Sequence, residues 1–452
     1  MDYNILREND IRGEYPTQIN GEVGKKVAQA FAVYLTNLGV KKCMLGHDNR
    51  VSSEEIYKAI LKALLSSGID VVSIGLVTTP LFNYASIINE VPYGIMITAS
   101  HNKASDNGLK IFGENYLHLK QDELKKLYKL IKEDAHTSGT GNLEEISVNN
   151  SYINMLTDKF KTINKRVVVD CGNGTASTII KQIFSKVFID VSYLNCESDG
   201  TFPVHNPDPN VEENLNLLKK MVLLKKADLG IAVDGDADRV GIIDNKGNMI
   251  ATDYLIGIFA REIVPKNENK NVIIDVKCSV SLAHEIKKIG GNPIMVKNGS
   301  AYIERIVHDN PALLGGEFSG HIFFRDDYYG FDDGIYAGLR VARLIDEKEI
   351  PSADLTKGME VYENTPEIRL NVDDNIKFNL VNYIKDYAQN KNYKINTCDG
   401  VRVDYEDGFS LVRCSNTGPY ITLRFEASTK EKLEERKEEF MSLIDKYLKE
   451  KI

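Results

Sequence analysis

The sequence predicts an α/β protein made of three successive mixed units and closed by a smaller α+β domain. Three observations carry this expectation. Helix-periodic segments alternate with apolar runs of strand length, which is how a chain builds mixed α/β layers. The alternation restarts twice, giving units of roughly a hundred residues each. Beyond about Met359 it gives way to β runs around helices. At 452 residues the chain exceeds a single ordinary core, and length alone suggests about three domains.

In order along the chain, Gly21 to Leu38 spaces Val23, Val27, Phe31, Tyr34 and Leu38 at helical intervals, so a helix is predicted there. Lys42 to Gly46 reads as a strand, Glu54 to Ser66 as a helix, Val71 to Leu76 as a strand and Val91 to Ser100 as another. After the apolar run Leu109 to Phe112, Asp122 to Asp134 is expected to close the unit as an amphipathic helix. His136 to Asn142, rich in Gly, Ser and Thr, reads as a linker. A second cycle predicts a helix near Ser151 to Phe160, a strand Arg166 to Asp170 and a helix Ala176 to Val187. The third predicts helices Asp253 to Ile263 and Ser281 to Ile289 with strands Asn271 to Val276 and Pro293 to Val296. The last domain is expected to hold strands Glu367 to Val372, Val401 to Tyr405, Ser410 to Cys414 and Tyr420 to Ala427, with helices Phe378 to Gln389 and Lys430 to Leu448.

A net charge of -9 argues against a general nucleic-acid binder, which needs a Lys/Arg surplus, but leaves room for a phosphorylated small molecule in a local basic pocket. Neither a signal-peptide pattern nor a membrane-spanning apolar run is read, so a cytoplasmic location and no membrane partner are expected. The six cysteines, Cys43, Cys171, Cys196, Cys278, Cys398 and Cys414, form no Cys-x-x-Cys pair. They suit buried or incidental thiols better than a disulfide framework or a zinc site.

Two segments concentrate the chemistry. In Gly94-Ile95-Met96-Ile97-Thr98-Ala99-Ser100-His101-Asn102 an apolar run stops in a small polar tetrad. The turn-rich Lys103 to Gly108 that follows is no helix start, so Ser100 reads as a serine delivered to a loop and not as a helix cap. In Asp234-Gly235-Asp236-Ala237-Asp238-Arg239, lying between the apolar runs Leu229 to Val233 and Val240 to Ile243, three carboxylates alternate along a tight loop. They can converge on one hard cation beside a phosphoryl group, as Mg²⁺ is usually held. An EF-hand calcium loop fails, because Arg239 stands at its sixth position and Asn245 at its twelfth. Without a cation the three charges would repel.

Weaker signals lie elsewhere. Arg413-Cys414-Ser415-Asn416-Thr417-Gly418-Pro419 offers a guanidinium fork and a turn of donors for an anion, although the same residues suit an ordinary hairpin loop. Gly315-Gly316-Glu317-Phe318-Ser319-Gly320-His321 suits sugar hydroxyls, and a plain loop would read the same. Gly172-Asn173-Gly174 lacks the third glycine of a dinucleotide fingerprint, Ser177 standing in its place.

Taken together, Thr98 to Asn102, Asp234 to Arg239, Gly316 to His321 and Arg413 to Pro419 occur in the order and spacing of the α-D-phosphohexomutase superfamily, which the whole chain resembles. Asp10-Ile11-Arg12-Gly13, Asp275-Val276-Lys277-Cys278 and Gly330 to Tyr336 are similar to the bacterial phosphomannomutase/phosphoglucomutase branch. The resemblance implies four domains around a central cleft: residues 1–144 with a phosphoserine loop, 145–252 with a metal-binding loop, 253–360 with a sugar-binding loop and 361–452 with a phosphate-binding loop. It implies interconversion of hexose 1-phosphate and hexose 6-phosphate through phospho-Ser100 and a hexose 1,6-bisphosphate, with Mg²⁺ held by Ser100, Asp234, Asp236 and Asp238. Arg12, His101, Lys110 and Arg239 would stabilise charge or move protons. Lys277, Lys297, Glu317, Ser319 and His321 would hold the sugar, and Arg413, Ser415, Asn416 and Thr417 the unreacting phosphate. A phosphosugar is the expected partner, and the chain is expected to be a monomer or small homo-oligomer.

Two positions depart from the branch: Asn9 stands for its usual tyrosine and Ser300 for a histidine. Phosphoglucosamine mutase is the near alternative, although that branch usually carries Gln at the position of Phe318. A Mg²⁺-dependent sugar phosphatase and a catalytically dead phosphosugar-binding protein are the more distant ones.

Overall fold

A computed structural model describes residues 1–415 and 418–451. The chain divides into two compact units, Met1–Ala251 with Ser319–Leu355, and Thr252–Phe318 with Thr356–Ile452.

The first unit begins with β1 (Ile11–Glu14), α1 (Gly21–Asn37), β2 (Lys42–His47), α2 (Ser53–Ser66), β3 (Asp70–Leu76), α3 (Thr79–Ile88), β4 (Gly94–Ile97), β5 (Asp106–Phe112), α4 (Gln121–Lys132) and β6 (Leu143–Glu145). Its strands form one sheet in the order β1-β5-β4-β2-β3-β6. The Asn20 side chain caps α1 by accepting from the Val23 amide at 3.1 Å, and Val23, Val27, Phe31 and Tyr34 are buried as the periodicity required. These residues share a core with Ile56 and Ile60 of α2, Leu45 of β2 and Leu127 of α4.

Two expectations change here. The strand before the serine stops at Ile97, so Thr98, Ala99 and Ser100 lie beyond it. The supposed linker is tied down: Gly139 N donates to Ser66 O at 2.9 Å and Gly141 N to Leu65 O at 2.8 Å. Small polar residues there mark a close backbone approach that leads into β6, not a free hinge.

A second sheet in the same unit follows α5 (Asn149–Phe160), with β7 (Ile163–Asp170), α6 (Ile180–Val187), β8 (Phe188–Leu194), α7 (Asn216–Lys225), β9 (Leu229–Val233), β10 (Val240–Asp244) and β11 (Met249–Ile250). Its order is β11-β10-β9-β7-β8. The helix expected over Ala176 to Val187 is broken into a 3-10 turn, Thr175–Thr178, and α6.

The second unit opens with α8 (Thr252–Ile263), β12 (Asn271–Asp275), α9 (Val280–Lys288), β13 (Asn292–Val296), α10 (Ser300–Asp309) and β14 (Leu314–Gly316). Here β12 pairs in parallel with both β13 and β14. From Ser319 the chain belongs to the first unit again, with β15 (Ile322–Phe324) and α11 (Gly334–Glu347), which packs on β7, β9 and β10.

The C-terminal part holds β16 (Glu363–Asn364), β17 (Ile368–Asn371), α12 (Asp374–Asn390), β18 (Ile395–Asn396), β19 (Val401–Tyr405), β20 (Gly408–Cys414), β21 (Tyr420–Ala427) and α13 (Lys430–Lys451). Its antiparallel sheet runs β16-β21-β20-β19-β18, with β17 also on β21. Leu380, Ile384, Phe425, Phe440 and Ile444 close the core beneath the two helices. No helix among the described residues is long and apolar enough to cross a membrane.

Candidate active site

In the first unit, Ser100 and the three aspartates are brought together from sheets far apart in sequence. The Ser100 hydroxyl donates to Asp234 Oδ2 at 2.6 Å, and Ser100 itself is only 2% exposed. Its backbone sits at φ 51°, a left-handed conformation that costs a non-glycine residue roughly 1–2 kcal/mol. The surroundings hold it there. Thr98 Oγ1 accepts from the Ser100 amide at 2.9 Å, while the buried Arg50 guanidinium donates to the carbonyls of Ser100 and Asn102, both at 2.7 Å, and of Lys103 at 2.6 Å. Asp48 Oδ2 in turn accepts from Arg50 Nε at 3.1 Å.

Asp234, Asp236 and Asp238 are all buried, with one carboxylate oxygen of each lying within 4.8 Å of the others. Thr79 Oγ1 donates to Asp236 Oδ2 at 2.6 Å and Thr98 Oγ1 to the same oxygen at 3.2 Å. Lys110, on β5, places its ammonium 2.8 Å from Asp236 Oδ2 and also bonds Asp238. Arg239 Nε lies 3.8 Å from Asp234 Oδ2.

The charges settle unevenly. Burial, then repulsion from Asp238 and Asp236, pushes Asp234 well above the usual carboxylate range. Burial would raise Asp238 as well, but Lys110, His321 and Arg239 outweigh it and hold that carboxyl below the range. For Lys110, burial works against the charge and is outweighed by Asp236 and Asp238, so the ammonium is kept. Oδ1 of Asp236 and Oδ1 of Asp238 are buried and, among the described residues, accept no hydrogen bond. Hard oxygen donors, an excess of negative charge and two open lone-pair positions fit a divalent cation.

Around this cluster, His101 Nδ1 lies 3.4 Å from Ser100 Oγ. Its imidazole is held well below the ordinary range, first by burial and then by Arg239 and Arg12, so it stays neutral near pH 7. Arg12 donates to Asn102 Oδ1 at 3.0 Å and pairs with Asp10 at 2.7 Å. His321, grouped by its motif with Glu317, instead pairs through Nδ1 with Asp332 Oδ2 at 2.6 Å and lies 3.5 Å from Asp238 Oδ1. Ser319 belongs to this first unit too, its carbonyl accepting from Asn210 Nδ2.

The loops meet through glycines. A Cβ on Gly235 would come 2.5 Å from Ser100 O, and one on Gly174 would come 2.8 Å from Gly235 O. The Gly172-Asn173-Gly174 turn thus backs the acidic loop, which explains its glycines without a dinucleotide.

The second unit gathers a different set. Asn298 Nδ2 donates to Glu317 Oε1 at 2.7 Å and to Asp275 Oδ2 at 3.1 Å, and Asp275 Oδ2 also accepts from the Phe318 amide at 2.9 Å. Glu317 Oε2 is buried and has no hydrogen-bond partner among the described residues. Asp399 Oδ2 joins the Asn298 amide at 3.2 Å to Arg413 Nε at 2.9 Å, so Glu317 and Arg413 share one polar network. Lys277 lies 3.5 Å from Glu367 and 5.7 Å from the Phe318 ring centroid, while Arg424 stacks on that ring at 3.9 Å. Lys297 lies 4.6 Å from the Tyr302 ring centroid. Ser415 Oγ accepts from the Gly418 amide at 3.2 Å, and Lys377 donates to the Ser415 carbonyl at 2.8 Å. Asn416 and Thr417 lie outside the described residues.

Arg50, Thr79, Asn298 and Asp399 were not singled out from the sequence. Each stands one or two links from a reactive group and carries no motif of its own. Asp275 and Asp332 did fall inside quoted motifs, but only their partners in the fold reveal what they hold.

Family models described as phosphoglucomutase/phosphomannomutase α/β/α domains I, II and III match residues 4–138, 150–247 and 251–362, and the corresponding C-terminal domain matches residues 367–443. A phosphomannomutase/phosphoglucomutase of Pseudomonas aeruginosa is 38% identical over 443 residues, 97% of this chain and 95% of that protein. A probable phosphoglucosamine mutase of Methanosphaera stadtmanae is 35% identical over 444 residues, 95% of each chain. The crystal structure of a phosphoglucomutase/phosphomannomutase family protein from Burkholderia thailandensis superposes with a TM-score of 0.91 at 32% identity, covering 98% of this chain and 97% of that one. Four domains matched in order and relatives aligned over nearly the full length place the chain in the phosphoglucomutase/phosphomannomutase family of the α-D-phosphohexomutase superfamily.

Proposed function

We propose that the chain is a Mg²⁺-dependent phosphohexomutase that interconverts hexose 1-phosphate and hexose 6-phosphate, glucose and mannose being its sugars, through phospho-Ser100 and a hexose 1,6-bisphosphate. The observation that carries this reading is the Ser100 hydroxyl, 2.6 Å from Asp234 within a buried acidic triad. A serine that served only structure would not need to be placed against such a cluster.

Ser100 with Asp234, Asp236 and Asp238 would hold the magnesium ion, which when bound neutralises charge on the transferring group. The P–O bond of phospho-Ser100 breaks as a sugar hydroxyl attacks phosphorus, and that hydroxyl gives up its proton. His101, neutral and beside Ser100, is suited to accept a proton, and Lys110, Arg239 and Arg12 supply fixed positive charge. Return of the other phosphoryl to Ser100 reverses these roles. Lys277, Lys297, Glu317, Ser319 and His321 are assigned to the sugar. Arg413, Ser415, Asn416 and Thr417 are assigned to the phosphate that is not reacting, with Asp399 orienting the Arg413 fork.

The test is a coupled assay with glucose 1-phosphate and a trace of glucose 1,6-bisphosphate. Glucose 6-phosphate is expected to form without stoichiometric inorganic phosphate; phosphate released in step with substrate loss would make the protein a phosphatase. Comparing kcat/KM for glucose, mannose and glucosamine 1-phosphates decides the sugar. The match to a probable phosphoglucosamine mutase keeps glucosamine in that comparison, whereas Phe318, stacked under Arg424 at 3.9 Å, stands where that branch usually carries Gln.

The close approach of the two loops gives a second expectation. Gly235→Ala forces a methyl against the Ser100 carbonyl and separates serine from triad. Turnover is expected to fall about 10²-fold, the usual cost of a displacement near 1 Å. An unchanged kcat in the same assay would mean the loops need not touch.

A further inference from the structure

Two cysteines that the sequence left without a role lie against each other. Cys171 follows β7 and Cys196 follows β8, adjacent parallel strands whose register pairs Asp170 with Leu194. Their sulfurs are 2.9 Å apart, Cys171 fully buried and Cys196 5% exposed. We infer that Cys171 and Cys196 are a modification site, a thiol pair that closes reversibly to a disulfide under mild oxidants such as hydrogen peroxide.

The geometry needs little change. A disulfide has its sulfurs about 2.05 Å apart, so closure draws them together by about 0.9 Å. The backbone around them is already cross-linked: Cys171 N donates to Leu194 O at 3.2 Å, Asn173 N to Asn195 O at 2.8 Å and Asp199 N to Asn173 O at 2.9 Å. The pair is also shallow, since Glu197, Ser198 and Asp199 next to Cys196 are exposed. A small oxidant therefore has only a short loop to displace. Of the other cysteines, Cys43 and Cys278 are buried, Cys414 is half-buried and Cys398 is exposed, so Cys398 is the thiol best placed to compete.

The chemistry balances with peroxide alone. One thiol gives up its proton and attacks a peroxide oxygen as thiolate; the O–O bond breaks, and the leaving hydroxide takes up that proton, giving a sulfenic acid and water. The second thiol, losing its proton, attacks that sulfur; the S–O bond breaks as the S–S bond forms, and the leaving hydroxide takes the proton and departs as a second water. Two thiols and one peroxide thus give one disulfide and two waters, and a dithiol such as dithiothreitol reverses the step. The bond ties the ends of β7 and β8 together directly before the Gly172-Asn173-Gly174 turn, whose next residue, Thr175, donates its amide to Gly235 O at 2.8 Å. Its effect is to staple the second sheet beneath the acidic loop.

The full-length protein is treated with hydrogen peroxide, alkylated in denaturant and digested without reduction. A peptide pair linking Cys171 to Cys196 is expected, lighter than its separate halves by two hydrogens and absent after dithiothreitol. The thermal midpoint of the first unit should rise by roughly 5 °C on oxidation, because the closed loop constrains the unfolded chain. Cys171→Ser and Cys196→Ser should each remove that rise while keeping the turnover of the reduced protein. Full alkylation of both cysteines, sulfinic acid on either, linkage to Cys398 instead, or a linked pair with no rise in midpoint would overturn the inference. The wild-type measurement decides the linkage even if a variant folds poorly.

Discussion

Ser100→Ala is expected to lower kcat/KM for the conversion of glucose 1-phosphate to glucose 6-phosphate by about 10⁴-fold or more, the loss typical of removing a covalent nucleophile. The substitution deletes one oxygen and leaves the loop intact, since Arg50 grips the carbonyls of residues 100, 102 and 103, and Thr98 the amide of residue 100. Alanine at φ 51° bears much the same backbone strain as serine. The side chain's hydrogen bond to Asp234 is lost, which costs about 1 kcal/mol. A thermal midpoint within a few degrees of wild type would therefore accompany the loss of turnover and separate chemistry from unfolding. Activity equal to wild type would remove the phosphoserine mechanism and leave His101 or a water as the phosphoryl acceptor.

That expectation was legible from the sequence because the serine interrupts a pattern. An apolar run that ends in Thr98-Ala99-Ser100-His101-Asn102 needs a reason to stop, and carboxylates on alternate residues of one short loop need a cation. Buried strands such as β9 and β10 were legible as apolar runs, and several amphipathic helices by the period a half-exposed helix writes into the chain, although α7 and α10 were not foreseen. Where burial is complete the period vanishes. Helix α3 is buried from Thr79 through Ser86, polar Asn83 included, so no face distinguished it as a helix. Helix α11 is likewise buried over nearly its whole length and opens on Gly334, although Asp333 caps it by accepting from the Tyr336 amide at 2.9 Å.

The supporting polar residues were hidden differently. Arg50 lies fifty residues from the carbonyls it holds, and Asp332 pairs with a histidine whose motif pointed to the sugar instead. Only the fold brings such pairs together. Cys171 and Cys196 belong to the same class: their spacing is meaningless until β7 and β8 are seen to be neighbours in register.

Lys110→Met should have the largest effect on stability. Methionine replaces the lysine stem at similar volume and removes only the ammonium, which bonds Asp236 at 2.8 Å and also Asp238. Both carboxylates are buried, and removing one partner of a buried ion pair costs about 3–5 kcal/mol because the charge left behind is uncompensated. The threonine hydroxyls on Asp236 remain, but Asp238 would keep chiefly His321 and Arg239.

The pH dependence of that loss follows from sign. Asp238 is held below the usual carboxylate range, so the stability it contributes is complete above its unfolded value near pH 4 and is lost as pH falls through the folded one. Removing Lys110 takes away the main cause of that depression, so the penalty should be full at pH 7 and shrink on acidification. A divalent cation offers the triad the charge that the variant lacks. In EDTA the first unit of Lys110→Met should therefore melt well below wild type, and added Mg²⁺ should recover more of the deficit in the variant than it raises the midpoint of wild type. Equal midpoints in EDTA would mean that Lys110 is not the counter-charge of the triad; an equal Mg²⁺ shift in both proteins would mean that the ammonium and the cation do not serve the same carboxylates.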